Sequence, residues 1–162
     1  MTDLLPLLQE FYREKLAMLL QHEAGARRVS QYDVNNTYQY IINRDETHLA
    51  WVGKAILELG GTVPAEAGPR DRGDGSKTPG GANALIREDA TQADTFVAAW
   101  RPRLDGMTNK RHAKMLGVIL GEALEQKRFF EQALAGRTDL LGRRGDQLEP
   151  SHGDVLSSRW IE

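Results

Sequence analysis

Residues 64–83 read PAEAGPRDRGDGSKTPGGAN. The stretch carries glycine, proline and charges of both signs with almost nothing apolar, so it reads as a connection. At about 20 residues it far exceeds the usual connection of about 4–6. Helical periods flank it. Upstream, a first helix is expected from about Leu4 to Ser30, with Asp3 at its cap and Pro6 in its first turn, where a missing N–H costs little. Its apolar positions include Leu5, Leu8, Phe11, Tyr12, Leu16, Leu19, Ala26 and Val29, at steps of three and four. Gly25 is its weak point. After a polar break around residues 31–35, a second helix is expected from about Asn36 to Leu59, stopped by Gly60-Gly61 and Pro64. Downstream, a third helix from Ala84 or Asp89 to Leu104 carries the stripe Ile86, Ala90, Ala93, Val97, Trp100, Leu104, and Asp89 with Gln92 reads as a capping box. A fourth, capped by Thr108, runs to Ala135 before Gly136, its apolar face built from Met115, Val118, Ile119, Ala123, Phe129, Phe130 and Ala133. No segment alternates as a strand does. The expected fold is all-α: one helical domain over 1–136, its connection at about 62–83, and a C-terminal arm or tail over 137–162.

Composition narrows the function. The chain has 162 residues, 21 Lys+Arg against 23 Asp+Glu, a net charge of −2 and no Cys. One domain of that size buries roughly 70% of its unfolded surface. The balanced charge gives no nucleic-acid footprint. Zero Cys excludes disulfides, thiolate metal sites and cysteine nucleophiles. No apolar stretch approaches the roughly 20 residues of a membrane span. Met1-Thr2-Asp3-Leu4 lacks the basic start of a signal peptide, so a cytoplasmic place is expected.

The seam of the second helix is Ile41, Asp45, His48, Val52, Ala55, Leu59. An acid and an imidazole stand where Leu or Val is expected, and burying both without partners is costly. One turn apart on one face, they can reach a single metal ion. Asp45 and His48 lie roughly 18 and 22 Å below the turn between the first two helices, at about 1.5 Å per residue. Glu23, Glu122 and Glu125 lie roughly 12, 20 and 15 Å down on apolar seams of the first and fourth helices. The five side chains fit one layer of the fold.

LLQHEAGARRV (residues 19–29) and NRDETHLAWVGKAILELGG (residues 43–61) resemble the ferritin-like superfamily, which includes rubrerythrin-like and di-iron carboxylate proteins. Asp45-x-x-His48 is similar to the family's carboxylate-x-x-His motif. The order helix, short turn, helix, long connection, helix, short turn, helix also fits a four-helix bundle with one crossover between its second and third helices. The resemblance implies iron or manganese held by Glu23, Asp45, His48, Glu122 and Glu125, a redox or metal-handling role and, for an enzyme, a metal-dependent oxidoreductase. Family members supply a Glu from each of two helices and Glu-x-x-His from the other two. Here the helix-2 acid is Asp, the fourth helix has Glu122-x-x-Glu125 without a paired His, and the third has no central acid on its stripe, only Asp94 beside it. A dinuclear, mononuclear or absent site all remain open.

The competing reading is structural. Lys15 lies roughly 24 Å below the same turn, close to Asp45. A Lys15–Asp45 ion pair, or one joining Arg128 to Glu122 or Glu125, can replace a metal. The chain is then a non-catalytic bundle that self-associates, as a homo-oligomer and most simply a dimer, or binds another protein. A pocket for a small molecule in the core is a third option. Glu46, His22, His112 and His152 carry weaker metal signals. Trp100, Phe129 and Phe130 read as core or interface. GDGSKT (residues 73–78) lacks the spacing of a phosphate loop, and Arg72-Gly73-Asp74 is a common chance tripeptide.

Overall fold

The helical periods become four helices in the computed structural model: α1 (Leu4–Ala26), α2 (Tyr32–Glu58), α3 (Gly81–Asp105) and α4 (Lys110–Leu134). The structure describes residues 3–65, 72, 81–137 and 140–141. Most of the 64–83 connection and its GDGSKT segment, the tail beyond residue 141 and His152 lie outside the described residues. Among the described residues there is no strand, and no helix is long and apolar enough to cross a membrane.

The helix boundaries shift where side chains, not periodicity, decide them. α1 stops at Ala26, short of the expected Ser30, because Asn35 Nδ2 donates to the Ala26 and Val29 carbonyls at 2.7 and 3.0 Å. α2 starts at Tyr32 rather than Asn36: the Gln31 side chain accepts from the Val34 N–H at 2.7 Å and caps it. The residues read as a break are thus the first turn of the helix. Asn109, not Thr108, caps α4 by accepting from the His112 N–H at 3.0 Å. Asp3 makes no side-chain cap bond. Gly60, at φ +79°, ends α2 as expected. There the Gly61 N–H reaches back to the Ile56 carbonyl at 2.9 Å.

Paired side chains fix the direction of each helix. Gly61 sits against Leu5 and Tyr12 against Gly53, so α1 and α2 are antiparallel. Glu10 and Glu14 meet Arg103 and Trp100, while Gln21 meets Glu88, so α1 and α3 are antiparallel as well. Tyr40 packs on Phe129 and Arg44 pairs with Glu122, so α2 and α4 are antiparallel. Two apolar clusters fill the interior. One holds Leu8, Phe11, Val52, Ile56, Trp100, Leu116 and Ile119. The other holds Leu20, Tyr38, Ile41, Ile86 and Phe130. Burying such side chains contributes about 1.5–3 kcal/mol each before the entropy of ordering them is subtracted. A polar layer sits at the junction between the two clusters.

Candidate functional site

Asp45 anchors that layer, on the inward face of α2 where its place on the apolar seam puts it. Its exposure is 0%, as is that of Lys15, His22 and His48. Lys15 Nζ donates to Asp45 Oδ1 at 2.7 Å. His22 Nδ1 stands 2.6 Å from Asp45 Oδ2, and Gln126 Nε2 donates to Oδ1 at 3.3 Å. Both carboxylate oxygens are therefore taken by protein donors from α1 and α4. Burial alone disfavours the carboxylate, but the Lys15 and His22 contacts outweigh it and hold Asp45 below the usual carboxylate range.

His48 lies one turn along α2. Its Nε2 is 3.1 Å from Glu122 Oε1, off the line that a hydrogen bond needs, and both ring nitrogens lack a hydrogen-bond partner among the described residues. Its ring leans on Trp51, 5.7 Å between centroids. Glu122 is committed elsewhere: Arg44 grips it with two bonds of 2.7 and 2.8 Å. Burial, seconded by the Lys15 charge, pushes His48 down to about 4.

That depression has a consequence with a definite sign. An imidazole kept neutral by burial is protonated more readily in the unfolded chain. Its stability contribution is full above about pH 6.5 and is lost as the pH falls to about 4. The loss is about 3 kcal/mol over that window. His48→Gln is expected to flatten the urea-midpoint profile between pH 6.5 and 4. Profiles of wild type and variant that stay parallel would contradict this.

A second buried polar cluster lies toward the turn between α1 and α2. Arg72, from the connection, has a side chain only 4% exposed. It donates to Asp89 at 2.9 Å and to the Gln21 and Leu85 carbonyls at 3.2 and 3.1 Å. The Tyr38 hydroxyl also donates to Asp89. Burial and then the Asp89 charge push the Tyr38 phenol well above its usual range. Gly25, the apparent weak point of α1, makes room for this cluster: a Cβ there would meet Arg72 Nη1 at 2.8 Å and Tyr38 Cε1 at 3.2 Å.

The structure therefore sorts the candidate metal ligands. Asp45 and His48 face inward, and Glu122 approaches His48. Glu23 is half-buried on α1 and contributes no hydrogen bond or ion pair to Asp45, His48 or Glu122 among the described residues. Glu125 is exposed and stands 3.9 Å from Arg128, whereas Glu122 pairs with Arg44 instead of Arg128. Among the described residues no three His, Asp or Glu side chains come together in a metal-holding group. Glu46 is exposed and His112 half-buried. Asp94 is exposed and 3.3 Å from Lys127.

Two expectations are corrected. His22, read in the sequence only as a weaker metal signal, is fully buried against Asp45; it stands seven residues from Lys15, two turns along the same face. Asp89 is inside α3 and holds Arg72 and Tyr38, so it is not the cap of that helix. Gln126 was missed altogether, although it stands three residues from Ala123 and from Phe129 on the buried stripe of α4.

No family model matches this sequence, and comparisons with curated proteins and with solved structures also give no match.

Proposed function

We propose that this chain is a ferritin-like four-helix bundle in which protein side chains have replaced the metal ion at Asp45, and that it works without catalysis, as a self-associating protein. The crossover that this fold requires is supported by direction. Both α2 and α3 run antiparallel to α1, and Arg72 of the connection contacts Gln21 and Leu85, near the end of α1 and the start of α3.

The observation that carries the metal-free reading is the Lys15 ammonium, fully buried and 2.7 Å from Asp45. A divalent ion on Asp45 would share the carboxylate with that ammonium at very short range, where repulsion in a dry interior is severe. It would also have to displace His22 and Gln126. The residues present therefore do not fit iron or manganese at Asp45, and no redox step is drawn through one. Protein purified from cells grown with added iron and manganese is expected to carry well under one such ion per chain. A chelator is then expected to leave the melting temperature unchanged, because a ligand held by the folded state alone would stabilise it. A full equivalent of iron or manganese, lost to the chelator with a fall in melting temperature, would overturn the reading.

One observation favours the alternative, a ferritin-like metal-handling protein. Among the described residues the two buried nitrogens of His48 have no hydrogen bonds, and a carboxylate oxygen lies 3.1 Å away. In that reading His48 and Glu122 begin an iron or manganese site that Asp45, Glu23 and Glu125 complete only after rearranging. His48→Ala would then lower the metal bound per chain with helix content intact.

A further inference from the structure

Two glycines in the middle of α4 meet no neighbour among the described residues. Gly25, Gly53 and Gly61 each face atoms that a Cβ would meet, but Gly117 and Gly121 face nothing within 4 Å among the described residues. A glycine inside a helix costs about 0.5–1 kcal/mol relative to alanine, so packing within the monomer leaves this pair unexplained. Both lie on an outer stripe of the helix. Lys114, Val118, Gly121, Leu124 and Glu125 are all exposed there, Val118 by 47% and Leu124 by 38%. Among the described residues Lys114 makes no ion pair, and Glu125 has one loose ion pair, with Arg128 at 3.9 Å, and lies within the field of Arg44 without pairing with it.

The stripe is complementary to itself when turned end for end. A two-fold axis crossing α4 between Ile119 and Leu120 places Lys114 of one copy opposite Glu125 of the other, twice. It also places each Val118 opposite the open space over the other copy's Gly121. Glycines at i and i+4 flatten the ridge used in helix crossings of about −50°. At that angle Arg111 and Arg128, roughly 13 Å along the helix from the axis, splay apart instead of facing each other.

We infer that α4 is the contact surface for a second copy of this chain, packed antiparallel across the two glycines with reciprocal Lys114–Glu125 pairs. The inference rests on reading the chain as a self-associating protein, and it names the surface and the partner. Within one chain Lys114 and Glu125 are roughly 16 Å apart along α4, so charge reversal at both sites can compensate only between copies.

The test is sedimentation equilibrium of the full-length chain over a wide concentration range. Wild type is expected to show a monomer–dimer equilibrium. Lys114→Glu and Glu125→Lys are each expected to weaken the dimer about tenfold or more, because two-fold symmetry brings like charges together twice. The double reversal is expected to return it to near the wild-type constant. Gly121→Leu is expected to abolish the dimer and, at concentrations low enough that wild type is also monomeric, to melt no lower than wild type, since among the described residues its side chain enters open space. A chain monomeric at every concentration, or a double reversal as weak as the single ones, overturns the proposal. A melting temperature of Gly121→Leu below that of wild type at the same monomeric concentration would instead show that another part of the same chain covers the stripe, and overturns it too. A bound equivalent of iron or manganese would sink the metal-free reading and leave this interface standing, so the two failures are distinguishable.

Discussion

Lys15→Met is expected to destabilise the fold by about 3–5 kcal/mol, the cost of breaking a buried pair and leaving its partner charged. In a chain of this size that is a fall in melting temperature of roughly 10 °C or more. Methionine keeps the length and the apolar stem of lysine, so the loss is electrostatic and not a cavity. Among the described residues Asp45 Oδ1 would keep only the 3.3 Å contact from Gln126. The penalty should shrink as the pH falls, because protonating the stranded Asp45 removes the uncompensated charge. Adding Asp45→Leu should recover most of the loss, since apolar replacement of a whole buried pair is often neutral or stabilising. Recovery stays incomplete because His22 and Gln126 lose their acceptor. Urea denaturation of the wild type, both single variants and the double variant gives the cycle. A Lys15→Met variant within about 1 kcal/mol of wild type would remove the ion pair from the account.

Asp89→Ala is expected to rank beside it. Asp89 is fully buried and accepts from the Arg72 guanidinium and the Tyr38 hydroxyl. Its removal leaves a cation buried with two backbone carbonyls and Glu88, whose carboxylate is 3.3 Å away but 61% exposed and so well screened. The expected loss is again about 3–5 kcal/mol. Tyr38→Phe deletes only the hydroxyl and should cost about 1–2 kcal/mol. If the two substitutions cost the same in thermal denaturation, the guanidinium is not the group that Asp89 serves.

The inward Asp45 and His48 were legible because they interrupt an apolar seam of period 3.6, and Lys15 because it falls at the same depth on a seam of α1. Those three fix the height of the polar layer. His22 escaped because its neighbour Glu23 drew the metal reading. The seven-residue step from Lys15 to His22 carried the signal. Gln126 escaped for a related reason: attention to carboxylates passed over an amide that lies deeper in the stripe than Glu122 or Glu125. Glu125 is turned one residue off that stripe, which puts it in water.

The Arg72–Asp89–Tyr38 cluster had no periodic signature. Arg72 is one of several charges in a low-complexity connection, and nothing local distinguishes the one that turns inward. Asp89 followed three residues later by Gln92 matches a capping box as well as it matches a helix interior. Local hydrogen bonds also move the start of α2: Asn and Asp favour caps and turns, so residues 31–35 read as a break, whereas the Gln31 side chain caps a helix that begins at Tyr32. The four helices themselves were plain in the sequence, since long amphipathic periods bounded by glycine are the strongest of these signals.

The proposal that Lys15 stands where a metal would bind is tested most directly by a crystal structure with anomalous difference maps at the iron and manganese edges, from crystals grown with both ions present. The account predicts Lys15 Nζ in contact with Asp45 and no anomalous peak between Asp45, His48 and Glu122. A peak bridging those side chains, with Lys15 turned away from Asp45, would contradict it.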